Sequence, residues 1–206
     1  MKLIFAPPSP DDLIRLLKAW RFWLLGALLG ALIGAAVYYI VPPPYRAQAT
    51  VNVDFHLEQA WPQNTDREQF YYLERETRKL EEIAVSDTVL NEVTAQVSGT
   101  TVQQLRDQKL QLSQPGNGGW HFFADDRDPQ RAGALASAWD LAFVQNVQTQ
   151  VANPASGLEQ YITAAPTQVQ NLTAHRSVSL SIYLLGGAVV FLALSVLVLL
   201  FFDFKA

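Results

Sequence analysis

Two uninterrupted apolar runs constrain this chain more than any other feature. Phe22–Val41 holds 20 residues and Ser177–Phe202 holds 26, and neither contains a charge. At a helical rise of about 1.5 Å per residue, each can cross a hydrocarbon core of roughly 30 Å. The chain is therefore predicted to span a membrane twice. Between the runs lie residues 42–176, long enough for one compact domain. The expected plan has a cytoplasmic segment at 1–21, a first span at 22–41 and an external domain at 42–176. A second span at 177–202 and a short cytoplasmic tail at 203–206 complete it.

Charge sets the expected orientation. Lys2, Arg15, Lys18 and Arg21 precede the first run, against Asp11 and Asp12. Lysine and arginine beside a membrane helix favour the cytoplasmic side. Both termini are then cytoplasmic and the middle domain lies outside. Asp203 and Lys205 cancel, so the N-terminal bias decides. The middle domain carries 10 Lys/Arg and 16 Asp/Glu, a formal charge of −6. An acidic domain lacks the basic footprint that nucleic acid requires. A cleaved signal peptide fits poorly: the first run exceeds the usual apolar region of about 7–15 residues. Tyr38-Tyr39 and Trp20/Trp23 suit its two interfaces. The absence of cysteine excludes disulfides, thiolate metal sites and cysteine nucleophiles.

Gly26, Gly30 and Gly34 form two overlapping G-x-x-x-G repeats in the first run, beside a strip of Ala27, Ala31 and Ala35. Glycines four apart share a helix face and admit a second backbone. The partner is either the second span, with its Gly186-Gly187 pair, or the first span of another copy. Upstream, Ser9-Pro10-Asp11-Asp12 is a helix start. Leu13, Leu16, Leu17 and Trp20 then repeat at helical spacing. That segment is read as an amphipathic helix on the inner leaflet or as an extension of the span.

In the domain, Pro42-Pro43-Pro44 ends the first helix. Alternation at Ala47, Ala49, Val51, Val53 and Phe55 predicts a half-buried strand. Thr65–Glu68 forms a capping box before a helix with a stripe at Phe70, Leu73, Thr77, Leu80 and Ala84. Ser86-Asp87 caps a second helix carrying Val89, Leu90, Val93 and Val97, stopped by Gly99. Thr101–Gln104 is another capping box. Lys109–Ser113 and Trp120–Ala124 read as strands around a turn at 115–119. Asp128-Pro129 opens a helix with Ala132, Leu135, Ala136, Trp139, Phe143 and Val147 on one face. The expected fold class is α+β in the order β-α-α-β-β-α, a sheet backed by helices on one face.

The whole chain resembles the chain-length determinant, or polysaccharide co-polymerase, family, which includes membrane adaptors of bacterial tyrosine autokinases. The juxtamembrane segment Asp12–Trp20 precedes the first span. Pro44-Tyr45-Arg-Ala47-Gln-Ala49 resembles the family's P-x-Y-x-A-x-A strand. Ser86, Val89, Leu90 and Val93 match its S-x-x-V-L-x-x-V helix. Asp126, Asp128, Pro129, Ala132 and Ala136 match its D-x-D-P-x-x-A-x-x-x-A segment, and a second span follows. The chain departs from the family in having only Pro166 where a proline-rich run precedes the second span. It also has no room for a long coiled-coil extension.

The resemblance implies a non-catalytic scaffold in the inner (plasma) membrane, assembled as a ring-like homo-oligomer. It would act beside a polysaccharide polymerase or export complex, setting chain length or supporting export of a surface polysaccharide. Within the same family, the alternative is an adaptor for a separate cytoplasmic tyrosine kinase, since no G-x-x-x-x-G-K-[ST] loop occurs in this sequence. A tethered sensor of a small ligand is the alternative of another class.

No enzyme, cofactor or metal is expected. His56, His121 and His175 sit in no nucleophile or metal spacing. Asp125, Asp126 and Asp128 lack the oxygen-ligand run of a calcium loop. Trp120, Phe122 and Trp139 are expected in the core. Trp61, in the polar loop 59–64, is the candidate contact for glycan or a neighbouring copy.

Overall fold

A computed structural model describes residues 14, 17–60, 66–114, 119–167 and 172–201. The upstream helix start at 9–12, Trp61, Thr65, most of the turn at 115–119 and the tail at 203–206 lie outside the described residues. The chain divides into two compact units, Met1–Pro43 with Val178–Ala206, and Pro44–Ser177.

The first unit holds two helices, α1 (Trp20–Ile40) and α5 (Leu180–Phe201). Both are long and apolar enough to cross a membrane. Leu25, Leu28, Leu32, Ile182, Leu185 and Val189 are exposed on their outer faces. That is the surface a lipid-facing helix presents, since hydrocarbon gives apolar side chains no reason to hide. α1 stops where the prolines at 42–44 remove backbone donors.

The second unit is mixed helix and antiparallel sheet. Strand β1 (Tyr45–Asp54) lies at its centre. β3 (Gly119–Asp126) pairs along one side of β1, with Tyr45 opposite Asp126 and Val51 opposite Trp120. β2 (Leu110–Ser113) pairs β3 at the edge. On the other side of β1, two short strands share one edge. β4 (Thr163–Pro166) pairs Val51–Asp54, and β5 (Ala174–Arg176) pairs Tyr45–Ala47. The Ser177 N–H donates to the Pro44 carbonyl at 2.9 Å, so the unit's two ends meet.

Helix α4 (Pro129–Val151) lies across one face of the sheet, and α2 (Asp66–Ala84) and α3 (Asp87–Gln96) pack against α4 on that side. Ala47, Ala49, Val51 and Val53 from β1, and Trp120, Phe122 and Ala124 from β3, point into the core beneath them. Period-two alternation dictates this, because successive strand side chains face opposite sides. The core is aromatic at its centre. Phe122 meets Trp139 edge-on at 4.8 Å, and Trp120 stacks on Phe143 at 5.7 Å. The Trp139 Nε1 donates to the Ala84 carbonyl at 2.7 Å, satisfying a free acceptor at the end of α2.

Two expectations need correction. The chain order contains more than β-α-α-β-β-α: β4 and β5 follow α4, and single helical turns at Leu57–Ala60 and Val102–Gln104 precede β2. Four residues ending in proline, and three beginning with alanine, carry no strand signal of their own. Only the free edge of β1 makes them strands. The stripe of α2 is also turned. Its buried face is Tyr72, Glu76, Leu80, Ile83 and Ala84, while Phe70 is 64% exposed. Burial counted apolar residues, whereas this helix turns a glutamate inward and satisfies one of its oxygens with two neighbouring cations.

Candidate functional site

The glycines of α1 form a seam with α5 of the same chain. A methyl group built on Gly30 would fall on the Gly187 carbonyl oxygen and lie 2.6 Å from the Phe191 Cβ. One on Gly34 would meet the Tyr183 carbonyl, and one on Gly26 the Ser195 hydroxyl. Ser195 donates to the Phe191 carbonyl at 2.8 Å, so its polar atom is satisfied inside an apolar helix. Tyr38 and Tyr183 meet edge-on at 5.4 Å at one end of the seam. Of the two partners the repeat leaves open, the structure seats the glycine face against α5. Tyr183, Gly187, Phe191 and Ser195 repeat every four residues, as the glycines do, but Tyr183 and Phe191 are not small residues, so no continuous small-residue stripe marks that face.

The motif positions of the second unit do structural work. Ala47 and Ala49 are fully buried in β1, and Ala132 is buried in α4. Pro44 supplies the carbonyl that closes the unit. Tyr45 lies under the Arg176 guanidinium, 4.2 Å from its ring centre. Ser86 caps α3 by accepting from the Val89 N–H, and Val89, Leu90 and Val93 bury the opposite stripe. Asp128 caps α4 through the Gln130 N–H, with Pro129 at the first helical position. Pro166 ends β4 opposite Val51. Trp61 lies outside the described residues.

Asp126 sits at the hinge between β3 and α4, 8% exposed. It accepts from the Lys109 ammonium and, at 3.1 Å, from the Asp128 N–H, and Arg131 Nε lies 3.7 Å away. Burial alone would push its carboxyl up, but Lys109, the Asp128 N–H and Arg131 outweigh it and hold the group below the usual carboxylate range. A carboxylate lowered in the folded state stabilises above its unfolded value, about 4, and that contribution is lost as pH falls below it. Asp126→Asn is therefore expected to flatten the acid limb of unfolding measured below about pH 4. An unchanged acid limb would contradict the geometry.

The other titratable groups are dispersed. Asp125 holds Arg46 in a two-pronged pair at 2.7 Å on the open face of the sheet. His121 lies 3.0 Å from both Gln48 and Thr50 on that same face. His56 adopts a left-handed φ of 43°, held by its own N–H donating to Asp54 at 2.9 Å. His175 is exposed in β5. Among the described residues, no three histidine or carboxylate groups come together as a metal site.

Two buried carboxyls escaped the sequence reading. Glu76 is wholly buried: one oxygen accepts from Arg75 at 2.7 Å and Lys79 at 2.8 Å, and the other has no partner. Next to it the Tyr72 hydroxyl, also without a partner, is pushed up to about 12 by burial and by the charges of Glu76 and Glu159. Arg75 reaches Glu159 at 3.3 Å, tying α2 to the loop after α4. Asp140 is the second such carboxyl. No sequence signal marks either, because both occupy positions where a helix face alone would predict apolar residues or solvent.

The grooves among the described residues are shallow. One runs between α2 and the end of β2, lined by Arg78, Glu81, Glu82, Val85, Leu112 and Gln114. No protein-family model matches the chain, and no curated protein matches it significantly.

Proposed function

We propose that the chain is a non-catalytic membrane scaffold of the chain-length-determinant type, standing in the inner (plasma) membrane with its mixed domain outside. In this reading, identical copies assemble as a ring-like homo-oligomer beside a polysaccharide polymerase or export complex. There they set chain length or support export of the polysaccharide. The observation that carries it is a single α+β unit whose two ends meet and which is flanked in sequence by two apolar helices. The motif segments stand in family order along that frame.

The glycine seam is occupied within one chain, which leaves the outer faces of α1 and α5 and the domain surface for contacts between copies. Light scattering on the purified chain in nanodiscs tests assembly: a discrete multiple of 22.9 kDa is expected, and a single subunit mass counts against a ring. Deleting the gene in its host tests function. An altered length profile of surface polysaccharide on a gel is expected, and an unchanged profile would overturn the reading.

A further inference from the structure

Asp140 lies midway along α4, fully buried; neither carboxyl oxygen makes a well-formed hydrogen bond, and among the described residues only the adjoining Leu141 N–H acts on it. It is seven residues from Gly133, about two helical turns, so the two share a face. On that face, a methyl built on Gly133 would lie 3.3 Å from the Leu172 carbonyl, in the approach to β5. An unpartnered carboxylate in such a place costs far more than the neutral acid, which has no charge to desolvate.

Among the described residues, no charge offsets that cost. On α2, Glu76 is closed off by Arg75 and Lys79. On α3, Glu92 is held by Asn146 at 3.1 Å. On β1, Arg46 pairs Asp125 on the opposite face of the sheet, Tyr45 lies under Arg176, and Asp54 holds His56. On β3, Asp126 pairs Lys109, and His121 belongs to the open face. On α4 itself, Arg131 turns to Asp126 and the Ser98 carbonyl. β4 and the turn Pro154–Ser156 contain no titratable residue; in the loop between them Glu159 pairs Arg75 and Tyr161 is half-buried, and β5 offers exposed His175 and the Arg176 that lies over Tyr45.

We propose that Asp140 is a proton-operated latch on the seam between α4 and the β4–β5 edge: the neutral acid lets the seam close, and ionisation loosens it. Burial pushes the carboxyl up to about 7, opposed only by its neighbouring Leu141 N–H. The folded state then keeps a proton that the unfolded chain loses near pH 4, an ordinary carboxylate value of about 3.9. The unfolding equilibrium constant should rise about tenfold per pH unit between roughly 4 and 7, and level off above. The loosened seam includes β5, which three intervening residues separate from the start of α5 in the sequence. A scaffold built this way is tightest in an acidic exterior.

Hydrogen exchange on the full chain in nanodiscs tests this, comparing wild type with Asp140→Asn at each pH so that intrinsic exchange cancels. The amides of α4, β4 and β5 should be progressively less protected in wild type than in the variant as pH rises, by up to about tenfold per unit between roughly 4 and 7. A wild-type-to-variant ratio that stays flat across that range overturns the latch. Asp140→Leu, which needs no hydrogen bond, repeats the comparison should the asparagine fail to fold. On wild type alone, an infrared band of a protonated carboxyl should vanish across neutral pH. Its absence at about pH 6, where ordinary carboxyls are already ionised, overturns the proposal without any variant.

Discussion

Gly30→Leu is expected to separate α1 from α5. The leucine would have to occupy space held by the Gly187 carbonyl and the Phe191 Cβ, and a backbone carbonyl cannot swing aside as a flexible side chain does. Overpacking of this kind costs about 3 kcal/mol or more where backbone must move. Little opposes separation in lipid, because helices there associate through close packing rather than through an aversion to water. The chain has no cysteine, so Tyr38→Cys with Tyr183→Cys gives a clean cross-link between positions whose rings lie 5.4 Å apart. Cross-linking should be efficient in the otherwise native chain and fall sharply with Gly30→Leu. Gly186→Leu is the control, since nothing lies within 4 Å of a methyl there. Equal cross-linking in all three would sink the seam.

Trp139→Ala should be the most damaging single change in the mixed domain. Trp139 is 1% exposed, meets Phe122 edge-on and closes the end of α2 through the Ala84 carbonyl. Truncating a buried tryptophan costs about 3–5 kcal/mol, a large part of the roughly 5–15 kcal/mol that holds a domain together. Trp139→Phe keeps most of the apolar volume but orphans the Ala84 carbonyl. It should cost about 1–3 kcal/mol for the buried acceptor and a further amount for the smaller ring. Chemical denaturation of the full chain in detergent would rank the variants. Trp139→Ala no worse than Trp139→Phe would show that the core closes around the vacancy.

Much of the domain was legible because local chemistry and tertiary role coincide. Ser86 and Asp128 cap the helices they are expected to cap, and the alternation from Ala47 to Val53 is the buried face of β1. The turn of α2 was not legible. Phe70 and Thr77 look like a core stripe, yet Tyr72 and Glu76 face inward because Arg75 and Lys79 on the same helix reach back to the buried carboxylate. A periodicity argument weighs side chains one at a time and does not see such pairing.

By itself, the sequence determined what depends on length, hydropathy and local capping. Two runs without charge become apolar helices long enough for a bilayer, three prolines stop the first, and alternating small residues make the central strand. The tertiary structure decided everything that needs a distant partner. β4 and β5 are strands only because β1 has a free edge, and the glycine face meets α5 because Gly187 opposes Gly30. Asp140 is a buried acid only because segments from distant parts of the chain close over α4. Burial and pairing between residues far apart in the chain have no local signature, and they set both the helix seam and the protonation of the core.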